Sequence, residues 1–93
     1  MRITVKIGAP LSESIGTAQL DVELADGATV QDALAQLGAR YPHVEAALAG
    51  DTGQETIPFH YFVNRIWVRD EELARRRLKE GDRLYILAPV VGG

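Results

Sequence analysis

The segment LDVELADGATVQDALAQLGARY, Leu20 to Tyr41, changes its hydrophobic period half-way along. Leu20, Val22 and Leu24 alternate with Asp21 and Glu23, the two-residue repeat of a strand with one buried face. Beyond the turn Ala25-Asp26-Gly27, the apolar residues Val30, Ala33, Leu34, Leu37 and Tyr41 recur at i, i+3, i+4, i+7 and i+11. That spacing gives a helix with one apolar face. Thr29 is placed to cap this helix, and Asp32, three residues on, supplies a carboxylate where free backbone amides favour one. A half-buried strand leading directly into an amphipathic helix requires one core shared by a sheet and that helix.

Upstream, Ile3, Val5 and Ile7 alternate with Arg2, Thr4 and Lys6, so a first strand pairs with residues 20–24 as a hairpin. Gly8 and Pro10 stop that strand, and the stretch containing Ser12, Ser14 and Gly16 reads as a loop. Downstream, Pro42 ends the main helix and begins a second short one, His43 to about Ala49, before the polar loop Gly50 to Glu55. Phe59 to Val68 gives two short strands around Asn64-Arg65. Arg69 to Lys79 carries eight charges in eleven residues, with Leu73 and Leu78 as inward anchors, and Glu80-Gly81-Asp82 makes a turn. Leu84, Ile86 and Ala88 then alternate with Tyr85 and Leu87 in a last strand. A right-handed crossover through the helix places this strand parallel to the first. The reading is an α+β, β-grasp (ubiquitin-like) fold: a mixed sheet of about five strands wrapped on one main helix. Residues 1–87 form this domain and residues 88–93 an extended tail.

Ninety-three residues, 46% hydrophobic and 25% charged, make one soluble globular domain. A net charge of −3 points to neither nucleic acid nor an anionic membrane. With no cysteine, a disulfide scaffold, a thiol nucleophile and a Cys-based zinc site are all excluded. His43 and His60 lack metal-ligand spacing, Ser12 and Ser14 lack a nucleophile-elbow context, and no phosphate-cradling glycine motif occurs. Neither a metal nor a bound cofactor is therefore expected. Arg75-Arg76-Arg77, beside Asp70, Glu71, Glu72 and Glu80, reads as a solvated, self-compensated turn. The alternating N-terminus is not a signal peptide and no apolar run is long enough to span a membrane, so the expected location is cytoplasmic.

The chain finishes Ala88-Pro89-Val90-Val91-Gly92-Gly93. Six residues extend about 20 Å, far enough to enter another protein's active-site channel. Glycines let a narrow channel close around the backbone, and Pro89 discourages the tail from adding to the sheet. Phe62-Val63-Asn64, Leu78-Lys79-Glu80-Gly81-Asp82 and this terminus, in that order after a hairpin and helix, resemble the MoaD/ThiS family of ubiquitin-like sulfur carrier proteins. The resemblance covers essentially the whole chain and looks closest to the molybdopterin synthase small subunit. It implies that Gly93 is adenylated by a ubiquitin-activating-like enzyme and converted to a thiocarboxylate, with Gly92, Val91, Val90 and Pro89 giving access. It also implies a sulfur donor, a larger acceptor or synthase subunit, and ATP consumed by the activating partner. The chain would then be a cosubstrate and not a catalyst of its own. Molybdopterin is the leading destination of the sulfur. The alternatives are cysteine, thiazole or another sulfur-containing metabolite, or a ubiquitin-like modifier forming isopeptide bonds with lysines.

The pleat supplies a second expectation. If Val63, Leu84 and Ile86 face the helix, then Phe62, Tyr85 and Leu87 face outward as an apolar patch at the base of the tail, a docking site for partners. The register of Trp67 is open: it extends this patch or fills the core.

Overall fold

The computed structural model describes residues 1–9, 11–42 and 59–88. Strand β1 (Arg2–Ile7) pairs antiparallel with β2 (Gln19–Glu23), in register Ile3 to Val22 and Val5 to Leu20. The alternation that defined both strands places Ile3, Val5 and Val22 in the core. Between them lies a difference from the expected loop: Leu11–Ile15 is a short helix, α1. Leu11 and Ile15, four residues apart, share one face, so a single turn buries Leu11 and packs Ile15 against the core. The amides of Ser12 and Gly16 donate to the carbonyls of Gly8 and Ser12, and Gly16, at φ 91°, ends the helix in a conformation that suits glycine.

Helix α2 (Val30–Arg40) begins as the sequence predicts. The Thr29 hydroxyl accepts from the Asp32 amide at 3.2 Å, and the Asp32 carboxylate accepts from the Thr29 amide at 2.9 Å. Val30, Ala33 and Leu37 are buried, while Leu34 and Tyr41 pack at the core margin. The second short helix expected from His43 lies outside the described residues.

Strands β3 (His60–Val63) and β4 (Ile66–Val68) form a hairpin around Asn64-Arg65, and β5 (Arg83–Leu87) runs between β1 and β3. The sheet order is β2-β1-β5-β3-β4, with β5 parallel to β1 and antiparallel to β3. Val63, Leu84 and Ile86 face α2 and are fully buried, which fixes the two faces of the sheet. The fold is the β-grasp read from the sequence.

The charged run after β4 starts with a 3₁₀ turn, Asp70–Glu72, and its backbone grips the start of α2. Val30 and Gln31 donate to the carbonyls of Arg76 and Leu73, and Leu78 donates to that of Ala28. Leu78 is buried and Leu73 packs at the margin, as their spacing suggested. The arginines are not paired in the way the charge pattern suggested. Arg75 donates to the Glu71 carbonyl, and the Nε of half-buried Arg76 is buried without a partner. The run is a backbone clasp on the helix.

Candidate functional site

Strand β5 carries the chain out of the sheet. Leu87 is its last residue, and half-buried Ala88, the first residue of the expected tail, is the last one described. Pro89, Val90, Val91, Gly92 and Gly93 lie outside the described residues. On one side of this exit the Gly8 amide donates to the Ile86 carbonyl at 2.9 Å. A methyl group at Gly8 would stand 3.2 Å from Leu87 Cδ2, so the absence of a side chain there lets Leu87 lie over β1. On the other side His60 is the cross-strand partner of Leu87.

Period-two alternation places Phe62, Tyr85 and Leu87 together on the face turned away from α2, as expected from the pleat. Phe62 stands directly opposite Tyr85, and Leu87, 37% exposed, lies two residues further along β5. Trp67 resolves onto this face as well, opposite Phe62 and 51% exposed. One row therefore runs Trp67, Phe62, Tyr85, Lys6 across β4, β3, β5 and β1, and a second pairs His60 with Leu87 beside the exit. The rings of His60 and Trp67 are 6.1 Å apart and tilted by 60°. His60 and Lys6 escaped the sequence reading of the patch, and for Trp67 that reading leaves patch and core both open. The two-residue connection Asn64-Arg65 contained the missing signal, since it sets Phe62 against Trp67.

The opposite end of β5 is bolted. Asn64 holds the left-handed conformation, φ 57°, that closes the β3–β4 turn. Its side chain donates to Asp82 Oδ1 at 3.1 Å and accepts from the Arg83 amide at 3.1 Å, while its own amide donates to the Arg83 carbonyl at 2.8 Å. Asp82 Oδ2 accepts from the Lys79 amide at 2.8 Å, and Gly81, at φ 83°, makes the turn between them. Burial, and then the nearby Asp70 carboxylate, raise the pKa of Tyr61 above its usual 10.0. Among the described residues no group of His, Cys, Asp and Glu is arranged to hold a metal ion, and no helix is long and apolar enough to cross a membrane.

The ThiS family matches residues 5–93, from β1 to the terminal glycine. The chain belongs to the ThiS family. The resemblance to MoaD/ThiS sulfur carriers is thereby borne out, and with it the ubiquitin-like fold. The chain is 32% identical to a molybdopterin synthase sulfur carrier subunit of Chlamydomonas reinhardtii, over all of both chains. Among solved structures it is similar to SAMP1, a small archaeal modifier protein of Haloferax volcanii, at 29% identity over all of both chains with a TM-score of 0.82. It is also similar to a chain of the BexX/CysO complex of Amycolatopsis orientalis, at 31% identity over 98% of this chain and 99% of that one, with a TM-score of 0.71. The motifs that carried the ThiS resemblance divide by role. Asn64, Gly81 and Asp82 are parts of one structural bolt, whereas the Gly-Gly terminus follows the strand end beside the exposed apolar face.

Proposed function

We propose that Gly93 is the residue this sulfur carrier uses: adenylated by a ubiquitin-activating-like enzyme, converted to a thiocarboxylate and drawn on by a larger synthase subunit, with molybdopterin as the destination. The observation that carries this reading is the end-to-end match to a molybdopterin synthase sulfur carrier subunit, a match that includes Gly92-Gly93. In the first step a carboxylate oxygen of Gly93 attacks the α-phosphorus of ATP and pyrophosphate leaves. In the second, sulfur at the sulfide level attacks the acyl carbon and AMP leaves, so that one oxygen is replaced by sulfur. The chain supplies the carboxylate and the docking face. ATP, the sulfur donor and the catalytic groups belong to the partners, which makes the chain a cosubstrate. The patch of Phe62, Tyr85 and Leu87, enlarged by Trp67, seats those partners beside the tail, with Pro89 to Gly92 threading toward the reactive centre.

A second reading, a modifier that joins Gly93 to lysines, is favoured by the likeness to SAMP1. Both readings begin with the same adenylate, and the nucleophile separates them. Incubation with ATP, an activating enzyme and a sulfide source should add about 16 Da, mapped to Gly93, while leaving the fold unchanged because a single atom at the chain terminus is exchanged. Lysine conjugation would instead give products of much higher mass. A chain that stays unmodified beside competent enzyme overturns both.

A further inference from the structure

The sheet ends in β2 on one side and β4 on the other, and the chain finishes these two edges differently. Ile7 donates to the Ala18 carbonyl and Leu24 to that of Met1, so the even-numbered residues of β2 bond to β1 while Gln19, Asp21 and Glu23 turn their backbone outward. Side chains blunt that edge. The Thr17 hydroxyl accepts from the Gln19 amide at 3.3 Å and donates to the Gln19 carbonyl at 3.0 Å. Gln36 reaches over from α2 to donate to the Glu23 carbonyl at 2.9 Å. Covering an edge in this way keeps foreign strands off it.

The β4 edge stays open at one residue. The Asn64 amide donates to the Arg83 carbonyl, which assigns the even-numbered residues of β3 to β5 and leaves Tyr61 and Val63 to bond Val68 and Ile66. Trp67, between those two, therefore turns its N–H and C=O outward. At Arg69 the chain closes the edge itself: the Arg69 amide donates to the Glu72 carboxylate at 3.3 Å, and the Arg69 carbonyl accepts from the Glu72 amide at 2.8 Å. Among the described residues no group outside the ladder meets the Trp67 backbone. Both faces of this edge are apolar. Trp67 stands exposed on the outer face, whereas Ile66, opposite buried Val63, lies on the α2 side and is 60% exposed. A partner seated flat on the outer face covers Trp67 and never meets Ile66. A segment laid along the edge covers both, because successive residues of a strand point to opposite faces.

We propose that the β4 edge takes an extended segment of the enzyme that receives the tail, added to the sheet as a further strand. The Trp67 backbone donates to and accepts from that segment, and two successive apolar side chains of the segment cover Trp67 and Ile66. Continuity favours the enzyme as occupant, since Trp67 belongs both to this edge and to the outer face beside the tail exit. A second copy fits the edge poorly. Antiparallel pairing about Trp67 would set Arg65 of each copy directly against Arg69 of the other, and like charges opposed across a ladder destabilise it. The inference rests on the outer face being the docking surface in the carrier reading, and it adds the form of the partner's contact.

Hydrogen exchange read residue by residue tests this in the unaltered chain. Alone, the Trp67 amide should exchange about tenfold or more faster than the amides of Ile66 and Val68, which bond to β3. Bound to the activating enzyme, it should slow by about tenfold or more. Ile66→Lys, at an exposed position, should leave the melting temperature unchanged and weaken binding to that enzyme about fivefold or more, the loss expected of a significant interface residue. A Trp67 amide that stays fast in the complex overturns the proposal, and so does Ile66→Lys binding as tightly as the unaltered chain. Slowing that grows with the concentration of the free chain puts a second copy on the edge and overturns it as well. If Gly93 gains sulfur while the Trp67 amide stays fast, the carrier reading stands and this inference falls. If Gly93 stays unmodified beside competent enzyme, the carrier reading falls and this inference with it.

Discussion

Asn64 makes three hydrogen bonds to Asp82 and Arg83 while holding a backbone conformation that costs most residues about 1 kcal/mol. Asn64→Ala should lose both that tolerance and the side-chain bonds, about 2 kcal/mol in all, whereas Asn64→Gly keeps the turn and should lose about half as much. Urea denaturation of the two variants checks the difference, and equal losses would show that the conformation contributes nothing. Asn64-Arg65 is legible in the sequence as a tight connection. Its bond to Asp82 is not, because nothing local ties residues 18 positions apart until β3 and β5 are neighbours. Leu87 belongs at the same scale. Its outward position and its place over Gly8 mean that Leu87→Glu should leave thermal stability nearly unchanged. Partner affinity should fall about tenfold or more, as loss of a central anchor does. Unfolding of Leu87→Glu would contradict the observed register.

The elements differ in how openly the sequence declares them. Helix α2 has a reciprocal cap and a long apolar repeat, so its start, its buried face and its end at Tyr41 could all be read in advance. Thr29→Ala should cost about 1 kcal/mol by removing one half of that cap. Leu37→Ala, at a fully buried position, should cost about 2–5 kcal/mol by opening a cavity under the sheet. Thermal melts that rank the two the other way would mean that the cap holds more of the fold than the core contact. Helix α1 was hidden because one turn offers only a single i, i+4 pair, Leu11 and Ile15, among turn-forming residues. The face of Trp67 was hidden because β4 has three residues, too few for alternation to declare itself. The tail is an element whose chemistry is tested by length. One residue added after Gly93, or deletion of Gly92 and Gly93, should abolish sulfur transfer without shifting the melting temperature, because the reacting carboxylate is displaced or removed. Gly93→Ala keeps the carboxylate and should be milder. Sulfur transfer that survives the deletion would refute both the carrier and the modifier.

For the molecule as a whole, Tyr61 ties stability to alkaline pH. Its raised pKa means that the folded chain keeps a proton that the unfolded chain has lost above about pH 10. The contribution is complete below the unfolded value and declines as pH rises through the folded one, by at most about 1.4 kcal/mol per pH unit. Tyr61→Phe should flatten that decline when denaturation midpoints are compared on either side of about pH 10. An unchanged slope would assign it to other groups. The central position of β5 has a mechanical consequence for the same molecule. The strand that leads into the tail is held along its length by β1 on one side and β3 on the other, and both ladders cross the direction of any pull on the C-terminus. Such a pull loads the two ladders in shear, many bonds together, and does not peel them open one at a time. An enzyme that grips the tail and draws it inward would therefore strain the tail and its own channel before it extracted the strand, and the domain behaves as a fixed handle.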